Sequence, residues 1–208
     1  MSEPRPIRRR RGRGARERIL AAATDLFTTQ GINATGMEQL STAANVSKRT
    51  LYVHFPSKDA LVEAYLRQFD AAPLPSEAVL YDVRRPARER LLALFDVPAD
   101  ASVPVWRGCV FLNAAVEVPD PSHAVHALAA AHKRAFARQI AEVAREAGAT
   151  DPDVLGEQLA LLYDGGAARS MVLNNVEAGA SAARGIAIML VDAAIPVGAN
   201  AGGRAEQT

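Results

Sequence analysis

Residues 35–61 read TGMEQLSTAANVSKRTLYVHFPSKDAL, a pattern of two short helices joined by a tight turn. Thr35 and Glu38 stand three residues apart and predict a capping box, in which the two side chains satisfy amide groups left free at the start of a helix over 36–44. Asn45 interrupts the helical pattern, and asparagine is the non-glycine residue that best tolerates a positive φ. The segment therefore predicts a helix that ends in a turn at Asn45.

The second helix of the pair is predicted over 48–54. Ser47 can cap its first turn, and Phe55 ends it because the residue before a proline is disfavoured in the α conformation. Two short helices joined in this way form a helix-turn-helix, whose second helix enters the major groove of DNA. Its polar and basic side chains can donate hydrogen bonds to base edges and phosphates. The side chains predicted to face outward are Lys48, Arg49, Thr50, Tyr52 and His54.

Helical spacing continues on both sides of this motif. Apolar residues recur at helical intervals over 15–30, where Gly31 provides a left-handed C-cap, and a further helix is predicted over 58–71. The remaining sequence lacks the alternating β-branched residues of strands and is divided by prolines. Its predicted helices cover 84–96, 104–117, 121–148, 152–176 and 179–195. The sequence therefore predicts an all-α fold.

Charge divides the 208-residue chain into two parts of opposite sign. Residues 1–60 contain 11 Lys or Arg and 5 Asp or Glu, whereas residues 61–208 contain 13 and 18. The basic part is either a unit that binds a polyanion or a solubilising tail. Cys109 is the single cysteine and can form no internal disulfide, and no zinc-finger spacing is present. No apolar run reaches membrane-spanning length, so we expect a cytoplasmic protein without a membrane span. The cysteine and histidine spacing predicts no structural metal, and we expect no cofactor.

The segment 16–61 resembles the DNA-binding head of the tetracycline-repressor (TetR) family, most specifically in the run VSKRTLYVHFPSKDAL over 46–61. The resemblance implies an all-α dimer of about nine helices, with three helices in the head and a ligand-binding body that differs between members. It further implies contacts to bases or phosphates at the positions of Thr35, Thr50, Tyr52, His54 and Lys58.

Two positions depart from the family pattern. Asn45 stands where the turn usually has glycine, and asparagine accepts the same backbone. Gly36 stands where a second threonine is common, which removes one possible phosphate contact. For Tyr52 and His54 the alternative to DNA binding is packing between two heads. The predicted DNA-binding residues are Thr35, Ser47, Lys48, Arg49, Thr50, Tyr52, His54 and Lys58.

Four regions are predicted along the chain. They are a disordered, Arg-rich arm over 1–14, a helix-turn-helix domain over 15–58, a ligand-binding and dimerisation domain over 59–196, and a loose tail over 197–208. In the arm, the run from Arg8 to Arg11 is either solvated or in contact with the minor groove or phosphates.

The predicted ligand pocket centres on the apolar stretch 106–113, which contains the only tryptophan and the only cysteine. Such a pocket would bind a small hydrophobic ligand, with Asn113 and His132 orienting it. The predicted ligand-binding residues are Phe69, Trp106, Cys109, Phe111, Asn113, His132, Phe136 and Tyr163. The alternative for each is an ordinary core position, since aromatic side chains dominate cores.

Two groups of side chains leave a further role open. Cys109 would sense oxidants or electrophiles if it were exposed and its pKa lowered, although free cysteines are usually buried. His123 and His126 stand three residues apart and could share a metal, but no third ligand is evident. We therefore predict no metal site.

Small residues are concentrated in the last two predicted helices. Gly165 and Gly166 each cost about 1 kcal/mol relative to alanine inside a helix, so close approach to another helix is a reasonable compensation. The resemblance implies that these two helices pair across a two-fold axis in a homodimer, and the alternative is packing within the chain.

These observations predict a repressor that covers a near-palindromic operator as a dimer and is released by a small hydrophobic ligand. A ligand-dependent activator with the same head is the alternative within regulation. An all-α enzyme is disfavoured because the sequence has no phosphate-binding loop, nucleophile elbow or His-Glu metal motif. The acidic body and the single compact motif disfavour a non-specific DNA-packaging protein.

Overall fold

The computed structural model describes residues 11–70, 77–96 and 107–196, which form nine α-helices, one 3₁₀ helix and no strand. The all-α prediction is confirmed. The 3₁₀ helix, Ala78–Tyr81, lies between α4 and α5. The α-helices are α1 (Arg11–Thr29), α2 (Met37–Ala43), α3 (Lys48–His54), α4 (Lys58–Asp70), α5 (Ala87–Ala93), α6 (Val110–Glu117), α7 (Ala124–Glu146), α8 (Pro152–Leu173) and α9 (Val176–Ala194).

The first compact unit comprises the described parts of 1–69 together with 113–128. Helix α1 buries Ile19 and Phe27 in its core, and Arg18 donates a hydrogen bond of 3.1 Å to the carbonyl of Ala44 next to the turn. Helix α1 therefore contacts the helix-turn-helix next to its turn. It begins at Arg11, earlier than the predicted start at residue 15. The rest of the predicted arm and the tail from residue 197 lie outside the described residues.

Residues 113–128 belong to the first unit although the predicted head ended at residue 58. The amide of Asn33 donates to the Glu117 carboxylate at 2.6 Å, and its side-chain Nδ2 donates to the Glu117 carbonyl at 2.8 Å. His123 lies 3.5 Å from the Asp59 carboxylate. These long-range contacts explain why α6 and the start of α7 group with the head, which local sequence patterns could not indicate.

The second unit comprises the described parts of 70–112 and 129–208, and its core is centred on Ile140, Leu159 and Val191. Helices α8 and α9 are joined by Asn174, which has a φ of 45°, and Asn175, whose side chain accepts from the amide of Ala178 at 3.1 Å and so caps α9. The short turn folds α9 back along α8. This pair is the largest helical element of the second unit.

Glycines allow α8 and α9 to approach each other closely within the chain. A Cβ added at Gly166 would lie 3.2 Å from that of Ala183, and one added at Gly179 would lie 2.2 Å from the carbonyl oxygen of Gly166. No atom lies within 4 Å of the corresponding position at Gly165. Packing within the chain therefore accounts for Gly166, whereas Gly165 faces open space.

Helices α6 and α7 both begin later than predicted. Helix α6 begins at Val110 because Gly108 has a φ of 69°, which a helix does not accommodate. Helix α7 begins at Ala124, after a turn in which Asp120 accepts hydrogen bonds from Ser122. Within the described ranges, no helix combines the length and apolarity needed to span a membrane.

Candidate nucleic-acid interface and effector site

The turn between α2 and α3 has the predicted geometry. Asn45 has a φ of 50°, and Ser47 caps α3 by accepting a hydrogen bond of 3.0 Å from the amide of Thr50. Leu51 is completely buried and fixes the inner face of α3. Both the turn and the Ser47 cap are confirmed.

The capping box predicted for α2 is wrong. Gly36 is the N-cap and no side chain caps it, while the Thr35 hydroxyl donates to the carbonyl of Gly31 at 2.7 Å. Thr35 is also fully buried. Its hydroxyl is therefore engaged inside the head and is not presented to a phosphate, so we remove Thr35 from the DNA-binding residues.

The outermost side chains of α3 are those of Arg49 and Val53. Each stands two residues from the buried Leu51, which places it about 160° around the helix axis from the inner face. Val53 is 73% exposed, an unusual position for an apolar side chain. Val53 is not among the predicted DNA-binding residues, although its position two residues after Leu51 was the available signal.

The remaining predicted DNA-binding residues surround this outer face. Lys48 forms an exposed ion pair with Glu38 at 3.1 Å, and the Tyr52 side chain is 48% exposed. Thr50 is half-buried and its hydroxyl hydrogen-bonds to that of Ser47 at 2.8 Å. The half-buried residues that complete the set are His54 and Lys58.

Two predicted ligand-binding side chains stack on each other in the second unit. The rings of Phe111 and His132 lie 3.6 Å apart between centroids, with 12° between their planes. Phe111 is fully buried and the His132 side chain is 9% exposed. His132 Nδ1 hydrogen-bonds to the Asp70 carboxylate at 2.9 Å, and Nε2 lies 3.9 Å from the carboxylate of the buried Glu77. Neither carboxylate was predicted, because each is distant from His132 in sequence.

A second aromatic group contains Phe136 and Tyr163, whose ring centroids are 5.1 Å apart. Tyr163 also contacts Phe95 edge to face at 6.2 Å. Phe136 is buried and belongs to the apolar core of the unit. For Phe136 the core interpretation therefore has direct support.

Cys109 is half-buried beside Lys133 and Asp164. Burial lowers the pKa of Lys133, but the charge interaction with Cys109 and the hydrogen bond that its ammonium donates to Asp164 outweigh this effect, so that pKa is raised above its ordinary value. The arrangement holds a positive charge next to the sulfur.

The other predicted ligand-binding residues are not all in this unit. Phe69 and Asn113 belong to the first unit, where Phe69 packs edge to face on Tyr65 at 5.3 Å and Asn113 is half-buried on α6. Trp106 lies outside the described residues. The second unit therefore contains Cys109, Phe111, His132, Phe136 and Tyr163.

The two histidines considered as metal ligands make other contacts. His123 Nδ1 accepts from the amide of Val125 at 3.2 Å, and His126 Nε2 hydrogen-bonds to the carbonyl of Val118. In the part of the chain that the structure describes, no group of three His, Cys, Asp or Glu side chains is placed to hold a metal ion.

Helices α8 and α9 also present apolar side chains outward. Leu161 is 75% exposed, Met189 is 71% exposed and Ile186 is 49% exposed. A shallow groove beside them is lined by Leu161, Gly165, Ile186 and Leu190. We call this surface the α8/α9 face.

A capped helix-turn-helix with a polar and basic outer face, followed by a helical unit, defines a DNA-binding transcriptional regulator. Comparison with known proteins agrees with this class. The family model "Bacterial regulatory proteins, tetR family" matches residues 19–65, and the model "Tetracyclin repressor-like, C-terminal domain" matches residues 87–186. The chain belongs to the TetR family, whose members are regulators and not enzymes.

Individual relatives extend over most of the chain. A TetR-family transcriptional regulator from Streptomyces coelicolor is 31% identical, with a TM-score of 0.79 over 88% of this chain and 97% of that one. The regulator YjdC of Escherichia coli is 26% identical over 76% of this chain and 83% of its own length. RutR of Escherichia coli is 50% identical over 50 residues, 24% of each chain. The short match is much more similar than the long ones.

Proposed function

We propose that this protein is a repressor that binds a near-palindromic operator as a homodimer and releases it when a small ligand occupies the second unit. The observation that carries the proposal is the outer face of α3. Arg49 and Val53 project directly away from the buried Leu51, on a helix whose start is fixed by the Ser47 cap. A helix held in this way can enter the major groove with these side chains foremost.

The chemistry of the outer face supports a division of roles. Arg49 can donate two hydrogen bonds to a guanine, and the methyl groups of Val53 can pack against a thymine methyl. Lys48 and Lys58 supply positive charge for phosphates, which positions the helix without reading sequence. Binding to DNA places the regulator where a bacterial chromosome lies, in the cytoplasm.

The α8/α9 face supports the homodimer. Leu161 and Met189 are more than two-thirds exposed there in the single chain and Ile186 is 49% exposed, and covering them with a second copy removes this surface from water. Two heads joined in this way match two half-sites, so the operator is expected to be near-palindromic. Occupancy of such an operator blocks polymerase.

Release requires that a ligand bind the two states of the dimer with different affinities. Helix α4 provides the covalent connection, since it starts at Lys58 after the helix-turn-helix and ends at Asp70, where His132 is hydrogen-bonded. We propose that a small apolar ligand binds near Phe111, His132 and Tyr163 and shifts α4, so that the two heads no longer match the groove spacing.

Footprinting on the DNA that flanks the protein's own gene tests the proposal. A protected, near-palindromic site is expected, with affinity that falls steeply with salt because Lys and Arg displace counterions. Thr50→Ala should weaken binding and blur sequence preference, whereas Lys58→Ala should weaken all sequences evenly. Equal, salt-independent binding to operator and random DNA would contradict the proposal. A reporter assay then distinguishes repression from activation.

A further inference from the structure

The ring of His132 is held in one orientation from two sides. Phe111 covers one face of the imidazole, and the Asp70 carboxylate accepts a hydrogen bond of 2.9 Å at Nδ1. Since a carboxylate accepts and does not donate, Nδ1 carries the proton of this bond. The other ring nitrogen, Nε2, is therefore aimed in a fixed direction.

Nε2 of His132 is buried and has no hydrogen-bond partner among the described residues. The Glu77 carboxylate lies 3.9 Å from Nε2, which is too long for a direct hydrogen bond. The His132 and Glu77 side chains are only 9% and 7% exposed, so bulk water does not satisfy the nitrogen. Buried polar atoms of this kind are rare in folded proteins, and each one calls for a partner.

A single hydrogen-bonding group can contact both Nε2 and the Glu77 carboxylate, because these atoms lie 3.9 Å apart. An oxygen or nitrogen placed about 2.8 Å from both would bridge them at an angle of about 90°. Toward Glu77 the bridging group must donate a hydrogen, because a carboxylate only accepts. An amine has enough hydrogens to donate to both Nε2 and Glu77, whereas a hydroxyl donates its one hydrogen to Glu77 and accepts from an Nε2–H group. A carboxylate has no hydrogen to donate, and the negative charges of Asp70 and Glu77 would also repel it.

We propose that Nε2 of His132 and the carboxylate of Glu77 form the polar end of the effector site and select an alcohol, phenol or amine against a carboxylic acid. This inference rests on the proposed ligand-controlled regulator and names the chemistry of its effector. The apolar part of the effector faces away from the carboxylates. The same ring binds Asp70, the last residue of α4, so an effector bound at Nε2 acts on a side chain that already contacts the end of that helix.

The test uses four ligands that share one ring: benzyl alcohol, benzylamine, benzoate and toluene. The ¹⁵N resonance of His132 Nε2 is recorded during titration, and affinity is measured in parallel by calorimetry. Benzyl alcohol and benzylamine should shift the Nε2 resonance and bind about tenfold more tightly than toluene and benzoate. Equal affinity of benzoate and benzyl alcohol, or an Nε2 resonance that none of the four ligands moves, would overturn the proposal.

Glu77→Gln tests the carboxylate with little change of shape. The variant should lose the preference for benzylamine over benzoate, while Glu142→Gln, which removes a 64% exposed carboxylate on α7, should keep it. An unchanged preference in a folded Glu77→Gln protein overturns the proposal. If this variant does not fold, the selectivity of the wild-type protein among the four ligands decides whether the proposal stands.

Operator affinity separates this inference from the proposed function. If a ligand releases the operator without moving the Nε2 resonance, the effector site is elsewhere and the inference fails, although the regulator stands. If the alcohol and the amine bind at Nε2 but operator affinity does not change, the site is as inferred and ligand-controlled release fails.

Discussion

The Lys48 ammonium lies 3.1 Å from the Glu38 carboxylate, so one of the cations that we propose to contact DNA forms an ion pair between α2 and α3. Both side chains are more than half exposed, and such pairs contribute only about 0.2–1 kcal/mol. Phosphate therefore competes easily with Glu38 for Lys48. In the proposed complex the negative charge of Glu38 would still lie close to the DNA after this exchange.

Glu38→Gln should increase affinity for all DNA sequences by about two- to fivefold per head, because Lys48 is freed and a repulsive charge is removed. Fluorescence anisotropy with operator and random duplexes at several salt concentrations measures the effect. Asp25→Asn, which removes an exposed charge of α1, is the matched control and should have a smaller effect. Unchanged or weaker binding by Glu38→Gln would show that Lys48 is not at the interface.

Val53 should read a thymine methyl group. Val53→Ala removes both methyl groups from the outer face of α3, and loss of the one that packs on the thymine should weaken operator binding by about 0.8 kcal/mol, or about fourfold per half-site. Replacing the contacted thymine by deoxyuridine should weaken wild-type binding by a similar factor, and combining the two changes should cost little more than either alone. Affinities that decline additively at every thymine of the half-site would refute this contact.

Much of the fold was predictable because its signals are local. The Ser47 cap, the positive φ at Asn45 and the helix end at Pro56 each depend on a few adjacent residues, and all occur as predicted. The capping box failed for a reason that spacing does not reveal. The Thr35 hydroxyl also has the Gly31 carbonyl within reach, and the buried position of Thr35 favours that partner.

The effector site was predictable only by residue type. Aromatic residues and His132 were identified as candidates, but their partners come from distant parts of the chain. Asp70 and Glu77 meet His132 through folding, and Lys133 meets Asp164 in the same way. Periodicity contains no information about such pairs. It also could not distinguish Gly166, which packs on α9, from its neighbour Gly165, which faces outward.

Leu161→Lys should convert the protein from dimer to monomer. In a symmetric interface the substitution occurs twice, and each copy loses about 2 kcal/mol of apolar burial and adds a charge. Sedimentation equilibrium at micromolar concentration measures the mass, and Val83→Lys, at an 81% exposed position away from α8 and α9, is the control. The variant should also lose operator binding although α3 is unchanged. A wild-type monomer, or a dimeric Leu161→Lys protein, would contradict the α8/α9 interface.

Gly166→Leu tests a different contact. Because Gly166 packs against Ala183 and Gly179 of the same chain, the substitution should destabilise the fold itself by about 1–3 kcal/mol or more. Gly165→Ala, at the neighbouring open position, should instead stabilise the helix by up to about 1 kcal/mol. Urea denaturation measures the free energy of unfolding of the Gly166→Leu and Gly165→Ala variants. Equal values for the two would show that α8 and α9 do not approach closely at Gly166.

The ion pair of Lys133 and Asp164 should stabilise the fold at neutral pH and lose this contribution at alkaline pH. Both side chains are 21% exposed, and Asp164→Asn should lower the free energy of unfolding by about 1–2 kcal/mol at neutral pH. Because the pKa of Lys133 is raised in the folded state, its contribution is complete below the ordinary value of 10.5 and is lost as pH rises through the raised value. The difference between wild type and variant should therefore be constant from pH 7 to 10 and shrink above.

Urea denaturation across this pH range measures that difference. Asp153→Asn, which removes an 81% exposed carboxylate paired with Arg145, should change stability much less. A difference between wild type and Asp164→Asn that grows as pH rises above 10.5 would mean that Lys133 is not stabilised in its charged form.

Asp70→Asn should uncouple ligand binding from DNA binding. Operator and effector must weaken each other's binding by the same factor, usually about 5- to 150-fold in such switches, because the coupling free energy is shared. Asp70 ends α4 and accepts the hydrogen bond of His132, so a neutral amide at this position should weaken the connection while α3 and the apolar surroundings of Phe111 remain unchanged. Operator affinity measured alone should stay within about twofold of wild type, whereas the coupling factor should fall toward one. An effector found by screening the emission of the only tryptophan is titrated with and without saturating operator, and operator with and without saturating effector.

Asp192→Asn is the control for the coupling measurement. It removes the α9 carboxylate that pairs with Arg88 and should keep the full coupling. Full coupling in Asp70→Asn would exclude the contact of Asp70 with His132 from the route between the effector site and α4, because the two affinities would still change together without it.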